Sequence, residues 1–357
     1  NLNFQGGEAV LNSTLTNGGT LTLNGSSGTL RLGSSGRING GTITTSGGVE
    51  LASSAGILDA VTLDTEMTVI NGGTLQILNG LTFANGHQIS LEADAGSSTL
   101  YINGTGTQTL GGTGGIAFVG SGSNHSVTYS TGTPTLVIGP NVTVDVYSGG
   151  GNFWNVGQPL TLNGTLNMSA AGALLRTNVS GLVRGGGSAV NVTAGTLLLN
   201  GANDDADYNG TWNVAAGAAL QLGHTAARTL GAGFSATGTG RVVVDQGGFA
   251  TTINGMANST ATFAVNNGGT LTASSAISLA GLDLSSSSTV NGASAITVTG
   301  DMTMSNGTLS GAGSLAIGGN LLWSGGTIAR TGGVSVAGIG STWSAGTLGG
   351  GTLTNTG

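Results

Sequence analysis

The sequence predicts an all-β protein in which the chain forms a single parallel β-solenoid, and three observations carry this prediction. Glycine supplies 71 of the 357 residues, charged residues make up only 6%, and Thr-aliphatic pairs recur at a near-constant interval. A chain of this length normally divides into several domains, unless each segment packs only against its neighbours in a repeat architecture. Composition and recurrence together therefore favour a solenoid.

The repeat is clearest in the last third of the chain. Thr-aliphatic pairs begin there at near-equal intervals, at Thr270, Thr289, Thr308, Thr327 and Thr347. Asn-Gly, Gly-Gly and Ser-Gly dipeptides lie between the strands, and these residues accept the positive φ angles of tight corners. Each repeat is therefore predicted to form one coil of short strands joined by turns.

Short alternating runs identify the strands. Apolar and polar residues alternate over Leu21–Leu23 and over Val142–Val146, and a period of two is typical of strands. Parallel in-register stacking pairs the backbone groups of each coil with those of the coils above and below. We expect coils of about 19–22 residues, a length within the range of known repeat units, wound in the right-handed sense that parallel crossovers favour.

The same patterns predict the organisation of the chain. Residues 1–7 are expected to be either a remnant of a purification tag or the first strand. Residues 8–357 are predicted to form one continuous solenoid, with irregular turns over 8–265 and regular repeats of about 19–20 residues over 266–357. The absence of a capping pattern favours a piece of a longer repetitive protein, or a subunit whose ends are completed by neighbours.

Charge and cysteine content exclude several classes of function. The net charge is −7, Lys is absent, and the seven basic residues are scattered arginines, so nucleic acid is not an expected partner. Cys is also absent, which removes thiol catalysis and disulfides. No apolar run is long enough to cross a bilayer as a helix, so this segment is not expected to span a membrane.

One acidic cluster is a candidate metal site. Asp204, Asp205 and Asp207 are the densest group of carboxylates in the chain, and Ca²⁺ is a hard cation that prefers several oxygen ligands. The alternative is a solvated acidic loop between two strands, because a single loop seldom supplies six or more ligands. Calcium is the only cofactor that the sequence suggests.

Two carboxylate pairs could in principle cleave a glycosidic bond. They are Asp64 with Glu66, which lie at strand spacing on one face with Asp59 close by in the sequence, and Glu92 with Asp94. β-Helix enzymes that act on acidic polysaccharides also need basic residues near the bond, and here the arginines are scattered. We therefore expect solvated surface carboxylates and no enzymatic activity. The histidines are expected in surface turns: His87, His125 and His224.

Aromatic residues are scarce, and two groups of them are candidate ligand-binding sites. Trp323 and Trp343 occupy equivalent positions in successive repeats, so they are expected to stack, either in the interior or as an exposed platform for a glycan or a protein partner. Tyr147, Phe153 and Trp154 belong to a longer excursion between strands. This excursion is expected either to bind a partner or to fold its own aromatic rings onto the solenoid.

One stretch of the chain resembles a known family. Gly195–Asn203, Tyr208–Val214 and Gly217–Gly223 together resemble the short repeats of bacterial autotransporter passenger domains, and the composition of the whole chain is similar to that of large secreted β-solenoid adhesins. The resemblance implies a right-handed β-helix that is displayed outside the cell. It says little about activity, because this fold carries many functions.

These observations lead to an expected function. The chain is expected to be a secreted, cell-surface bacterial β-solenoid that acts as a non-enzymatic adhesin or surface-structural stalk. Its expected partners are glycans or proteins of a host or cell surface, or further copies of itself. The alternatives are a self-assembling extracellular fibre or surface-layer subunit and, less favoured, a carbohydrate-active β-helix enzyme.

Overall fold

The computed structural model describes residues 1–201, 208–223, 227–245, 249–256 and 259–357. Within these residues the protein is all-β, and its parallel strands are stacked as a β-solenoid of about 15 turns. The predicted fold class is therefore confirmed. The chain divides into two compact units, residues 1–190 and 191–357.

The first unit is formed by strands with short polar or glycine-rich corners between them. In chain order they are β1 (Leu2–Phe4), β2 (Glu8–Leu11), β3 (Thr14–Thr16), β4 (Thr20–Leu32), β5 (Arg37–Asn39), β6 (Thr42–Asp64), β7 (Met67–Phe83), β8 (Gln88–Glu92), β9 (Ser98–Ile102), β10 (Gly104–Val119), β11 (His125–Thr128), β12 (Gly132–Ile138), β13 (Asn141–Val146), β14 (Gly150–Asn155), β15 (Leu160–Leu162), β16 (Thr165–Met168), β17 (Leu174–Asn178) and β18 (Leu182–Arg184). The next strand, β19 (Ala189–Val192), contains the boundary residue.

The strands of the second unit are shorter. They are β20 (Thr196–Asn200), β21 (Gly210–Val214), β22 (Ala219–Leu222), β23 (Arg228–Leu230), β24 (Phe234–Thr237), β25 (Arg241–Asp245), β26 (Ala250–Ile253), β27 (Ser259–Asn266), β28 (Thr270–Ala273), β29 (Ile277–Leu284), β30 (Thr289–Asn291), β31 (Ile296–Val298), β32 (Met302–Met304), β33 (Thr308–Gly311), β34 (Leu315–Ile317), β35 (Leu321–Trp323), β36 (Thr327–Arg330), β37 (Val334–Val336), β38 (Thr342–Trp343), β39 (Thr347–Gly350) and β40 (Leu353–Asn355).

Apolar residues of the first unit stack on one another in its interior. Each inward position of a strand lies directly against the equivalent position of the next coil, so like residues form a column. Burial of one such side chain stabilises the fold by roughly 1.5–3 kcal/mol relative to its exposure. One column of buried residues, joined by strand register, consists of Leu30, Leu51, Met67, Ile89, Ile116, Val144 and Leu166.

The coils of the first unit vary in length. Leu51 aligns with Met67 in a short coil, whereas Leu81 aligns with Leu110 in a coil that is nearly twice as long. The longer coils exceed the predicted length because one corner is enlarged. Residues 78–80 turn this corner in one coil, and residues 103–109 turn it in the next.

Within the second unit, the strands from β28 to β39 keep the regular register that the sequence predicts for residues 266–357. The threonines of the repeat align directly with one another across β28, β30, β33, β36 and β39, so the near-constant interval of the repeat is confirmed. The residues that follow the first four threonines, Leu271, Val290, Leu309 and Ile328, are buried, and Leu348, which follows Thr347, is half-buried. The threonine ladder is therefore the outer side of a sheet whose inner side is an aliphatic column.

A buried cation lies at one corner of these repeats. Arg330 is fully buried, and its guanidinium donates hydrogen bonds of 2.9 Å to the carbonyl oxygens of Ser294, Ser310 and Gly313. Burial lowers the pKa of Arg330. Because the acceptors lie in neighbouring coils, the side chain links those coils through their backbone carbonyl groups.

Candidate functional site

All four glutamates of the chain lie on the outer side of one sheet of the first unit. Glu8 aligns with Thr29, and Thr29 aligns with Glu50. Glu66 directly precedes the first residue of β7, and Glu92 ends the neighbouring strand β8. All four glutamates are solvent-exposed. Strand register therefore gathers on one face residues that are far apart in the sequence.

A groove follows this face. One part, of about 410 Å³, is lined by Glu8, Glu50 and Glu92 among others, and a second part, of about 310 Å³, is lined by Glu50 and Glu66. Both parts include Thr68, so they are continuous. We call this feature the glutamate groove, defined by Glu8, Arg31, Glu50, Glu66, Thr68 and Glu92.

A small residue, Ala52, lies on the floor of the groove. Ala52 aligns with Arg31 on one side and with Thr68 on the other, and its methyl group leaves space between these longer side chains. The position is 6% exposed, because the neighbouring side chains rise around it. A larger side chain at position 52 would fill this part of the groove.

Two of the glutamates already have strong donors. The guanidinium of Arg31 donates to Oε1 of Glu8 from Nε at 2.9 Å and from Nη2 at 2.5 Å. The Nδ1 atom of His87 lies 3.0 Å from Oε1 of Glu66, and the backbone N–H of Gln88 donates to Oε2 of Glu66 at 3.1 Å. These contacts fix the positions of the two carboxylates.

The other two glutamates keep most of their capacity to accept hydrogen bonds. Glu50 accepts only a long contact of 3.4 Å from the hydroxyl of Thr29. Within the part of the chain that the structure describes, no donor contacts the carboxylate of Glu92. An ionised carboxylate offers about four acceptor positions. The groove therefore presents acceptors to donors of a bound partner, such as hydroxyl or N–H groups.

Aspartates in both units are used differently, because they hold neighbouring coils together. In four cases the side-chain amide of an asparagine one coil later donates to the carboxylate at 2.6–2.7 Å. Asparagine on aspartate avoids the repulsion of stacked carboxylates. The pairs are Asp59–Asn79, Asp64–Asn85, Asp145–Asn167 and Asp245–Asn267.

The predicted aromatic excursion is divided between the interior and the surface. Phe153 and Trp154 are fully buried, and Nε1 of Trp154 donates to the carbonyl oxygen of Pro159 at 3.0 Å. These two rings fold onto the solenoid, so their assignment as ligand-binding residues is corrected. Tyr147 is 55% exposed, and desolvation, with a further contribution from Asp145, raises the pKa of its hydroxyl.

The predicted stacking of Trp323 and Trp343 in the second unit is confirmed. The ring centroids of Trp323 and Trp343 lie 4.6 Å apart, with an interplanar angle of 8°. Trp323 is 1% exposed and Trp343 is 54% exposed. Trp323 is therefore part of the core, which corrects its assignment as a ligand-binding residue, and Trp343 remains accessible.

The predicted calcium ligands Asp204, Asp205 and Asp207 lie outside the described residues. Within the described residues, no group of three or more His, Asp or Glu side chains is arranged to hold a metal ion. The calcium site is therefore still a prediction from the sequence.

One of the two histidines that the structure describes differs from the prediction of surface turns. His87 is partly exposed at the groove, and His224 lies outside the described residues. His125 is fully buried, not in a surface turn, because its ring stacks on Phe118 with centroids 5.4 Å apart. Its two ring nitrogens contact the carbonyl oxygens of Gly150 and Val119, so His125 joins the strand ends that surround it.

Comparison with known protein families, with characterised proteins and with solved structures found no match. None of the described residues form a helix long and apolar enough to cross a membrane.

Proposed function

We propose that this chain is a secreted bacterial β-solenoid that acts as a non-enzymatic adhesin or surface-structural stalk, and that the glutamate groove is the surface that contacts its partner. The observation that carries the proposal is the difference between the two kinds of carboxylate. The paired aspartates hold coils together, whereas Glu50 and Glu92 face the groove with acceptors available.

The chemistry of the groove suits a hydroxyl-rich chain such as a cell-surface glycan. Sugar hydroxyls donate hydrogen bonds to carboxylates, and hydrogen bonds to ionised acceptors are the stronger ones. The groove crosses successive coils, which are spaced about 4.8 Å apart, so it is extended along the stack and not closed around a small molecule. The resemblance to autotransporter passenger repeats supports a location outside the cell.

The proposal is tested with two matched phenylalanine variants of the full chain. Ala52→Phe fills the floor of the groove, whereas Ala316→Phe adds the same ring to an outward position of β34 in the second unit. Wild type and both variants are applied to a panel of immobilised neutral and acidic glycans. We expect Ala52→Phe alone to lose binding. Equal binding by both variants, or release of sugar fragments by the wild type, would contradict the proposal.

A self-assembling fibre is the second candidate function, and one observation favours it. Four large apolar side chains among the described residues of the second unit are exposed: Leu322 at 43%, Phe249 at 44%, Trp343 at 54% and Ile339 at 89%. Exposed apolar groups of this kind favour association between chains. Sedimentation velocity across a concentration series distinguishes the candidates, because a fibre lengthens with concentration and a single adhesin does not.

A further inference from the structure

Asn-Gly sequences are chemically reactive, and the chain contains fourteen of them. The backbone nitrogen of the residue after an asparagine can attack Cγ of the asparagine side chain, and glycine leaves this approach unobstructed. The reaction needs the nitrogen to be free to reach the side chain. The hydrogen bond made by that glycine N–H therefore decides which of the fourteen sites react in the folded protein.

In eight of these sequences the solenoid removes the glycine nitrogen from reaction. Its N–H donates to an acceptor in the following coil, which turns the nitrogen away from its own asparagine and holds it there. The eight glycines are Gly40, Gly72, Gly80, Gly86, Gly104, Gly210, Gly255 and Gly268. Stacking thus protects these eight of the fourteen Asn-Gly sequences.

Asn306 has the opposite geometry. The N–H of Gly307 donates to Oδ1 of Asn306 itself, at 2.7 Å. Because Oδ1 is bonded to Cγ, this contact holds the nucleophilic nitrogen against the side-chain amide and polarises its carbonyl group. Asn306 is solvent-exposed whereas Gly307 is buried, so water reaches the side-chain amide of Asn306 and the product that forms there. Both requirements of the reaction are met at this turn.

We propose that Asn306 is a site of spontaneous deamidation, with water as the second reactant. The nitrogen of Gly307 forms a bond to Cγ, the bond between Cγ and Nδ2 breaks, and the nitrogen of the side chain leaves as ammonia. Water then opens the resulting five-membered imide at one of its two carbonyl carbons. The products are an aspartate or an isoaspartate at position 306, and no oxidant or reductant takes part.

The modification changes a turn that is fixed on both sides. The N–H of Ser305 donates to the carbonyl oxygen of Leu284 at 3.0 Å, and the N–H of Thr308 donates to that of Ser288 at 2.8 Å. An isoaspartate adds one carbon to the backbone between these two anchors. Gly307 has a φ of 91° and cannot absorb the added length by extending, so the turn before Thr308 must open.

The test follows deamidation in the intact folded chain. The protein is incubated in mildly alkaline buffer, and peptides are mapped by mass spectrometry for the gain of about 1 Da that accompanies loss of the amide. Asn267 is the matched comparator, because the N–H of Gly268 donates to the carbonyl oxygen of Ser286 at 3.0 Å. We expect Asn306 to react about tenfold faster than Asn267, the factor that one protecting hydrogen bond supplies.

A second arm separates structure from local sequence. In concentrated urea the hydrogen bonds of both turns are lost, and we expect the two rates to become equal within a small factor. The variant Asn306→Ser should remove the reactive peptide while leaving the thermal unfolding unchanged. Equal rates at Asn306 and Asn267 in the folded chain, or an unchanged ratio in urea, would overturn the proposal.

Discussion

The outer faces of the two units differ more than their cores do. In the first unit, one outer sheet carries all four glutamates, and the longest coils are nearly twice the length of the shortest. In the second unit, the outer ladder from Thr270 to Thr347 is uncharged and its coils have near-constant length. Uniform coils require only that like residues stack. Coils of unequal length that carry charged residues on their outer face indicate a surface with a role beyond stability, such as binding a partner.

Electrostatics supports this interpretation. Like charges on directly neighbouring strands are destabilising, whereas Thr–Thr pairs are favourable. Glu50 and Glu66 line the same part of the groove, although a threonine such as Thr29, in the same column, would stack at no electrostatic cost. The glutamate face is thus less stable than it could be, which is expected of a surface that binds a partner.

The largest expected effect tests whether the two cores are equivalent. Ile116→Ala in the first unit and Leu309→Ala in the second each remove a fully buried side chain from an aliphatic column. We expect each variant to lose about 2–5 kcal/mol of stability, measured as a fall in the urea midpoint of its own unit. A large loss at one position with none at the other would show that the two columns are not comparable.

The next largest loss of stability is expected at the corner of the second unit where the buried guanidinium of Arg330 links neighbouring coils. Arg330→Met removes the donors to the carbonyl oxygens of Ser294, Ser310 and Gly313. We expect a loss of about 2–4 kcal/mol, because buried acceptors are left without partners. The exposed Arg176 provides the control, and Arg176→Met should change stability by less than about 0.5 kcal/mol. Equal urea midpoints for the two variants would contradict this role.

A smaller contribution to stability, which depends on pH, comes from Asp94 in the first unit. Hydrogen bonds from the backbone N–H and the hydroxyl of Ser121 lower the pKa of Asp94 below its ordinary value of 3.8, with a further contribution from His125. The stabilisation is therefore present above that ordinary value and is lost as the pH falls through the lowered one.

The variant Asp94→Asn should accordingly unfold at a lower temperature than wild type at neutral pH. In strongly acidic buffer, in which Asp94 is protonated in both folded and unfolded chains, the difference should disappear. Thermal unfolding followed by circular dichroism at both pH values measures this. A difference that persists unchanged in acid would show that the charge of Asp94 is not what stabilises the turn.

The regular part of the fold could be predicted because it is periodic. Steps between Thr270 and Thr347 gave the register directly, and the stacking of Trp323 on Trp343 followed from it. The lengths of the middle coils could not be predicted in this way. Alternation identifies the strands, but it does not fix how many residues a corner holds, as the enlarged corner between Ile102 and Leu110 shows.

The glutamate groove could not be predicted for a related reason. The intervals between successive glutamates are all unequal and match no single period, so only strand register shows that they share a face. Each of Glu8, Glu50 and Glu66 directly precedes an apolar residue of a strand. This local pattern places each glutamate beside a strand, but only the alignment of the coils shows that the glutamates share one face. Burial of His125 and Trp154 likewise depends on corners that periodicity does not describe.

The central claim is that the glutamate groove binds a partner at a cost in stability. The most direct test is to replace a glutamate of this face by threonine, the residue that forms the outer ladder of the second unit. In Glu50→Thr the like-charge neighbour of Glu66 is removed, and Thr29 gains a threonine partner in the same column. We expect stability to rise by about 0.2–1 kcal/mol, measured by urea unfolding, while binding to the glycan panel is lost. Unchanged binding, or a fall in stability, would contradict the account.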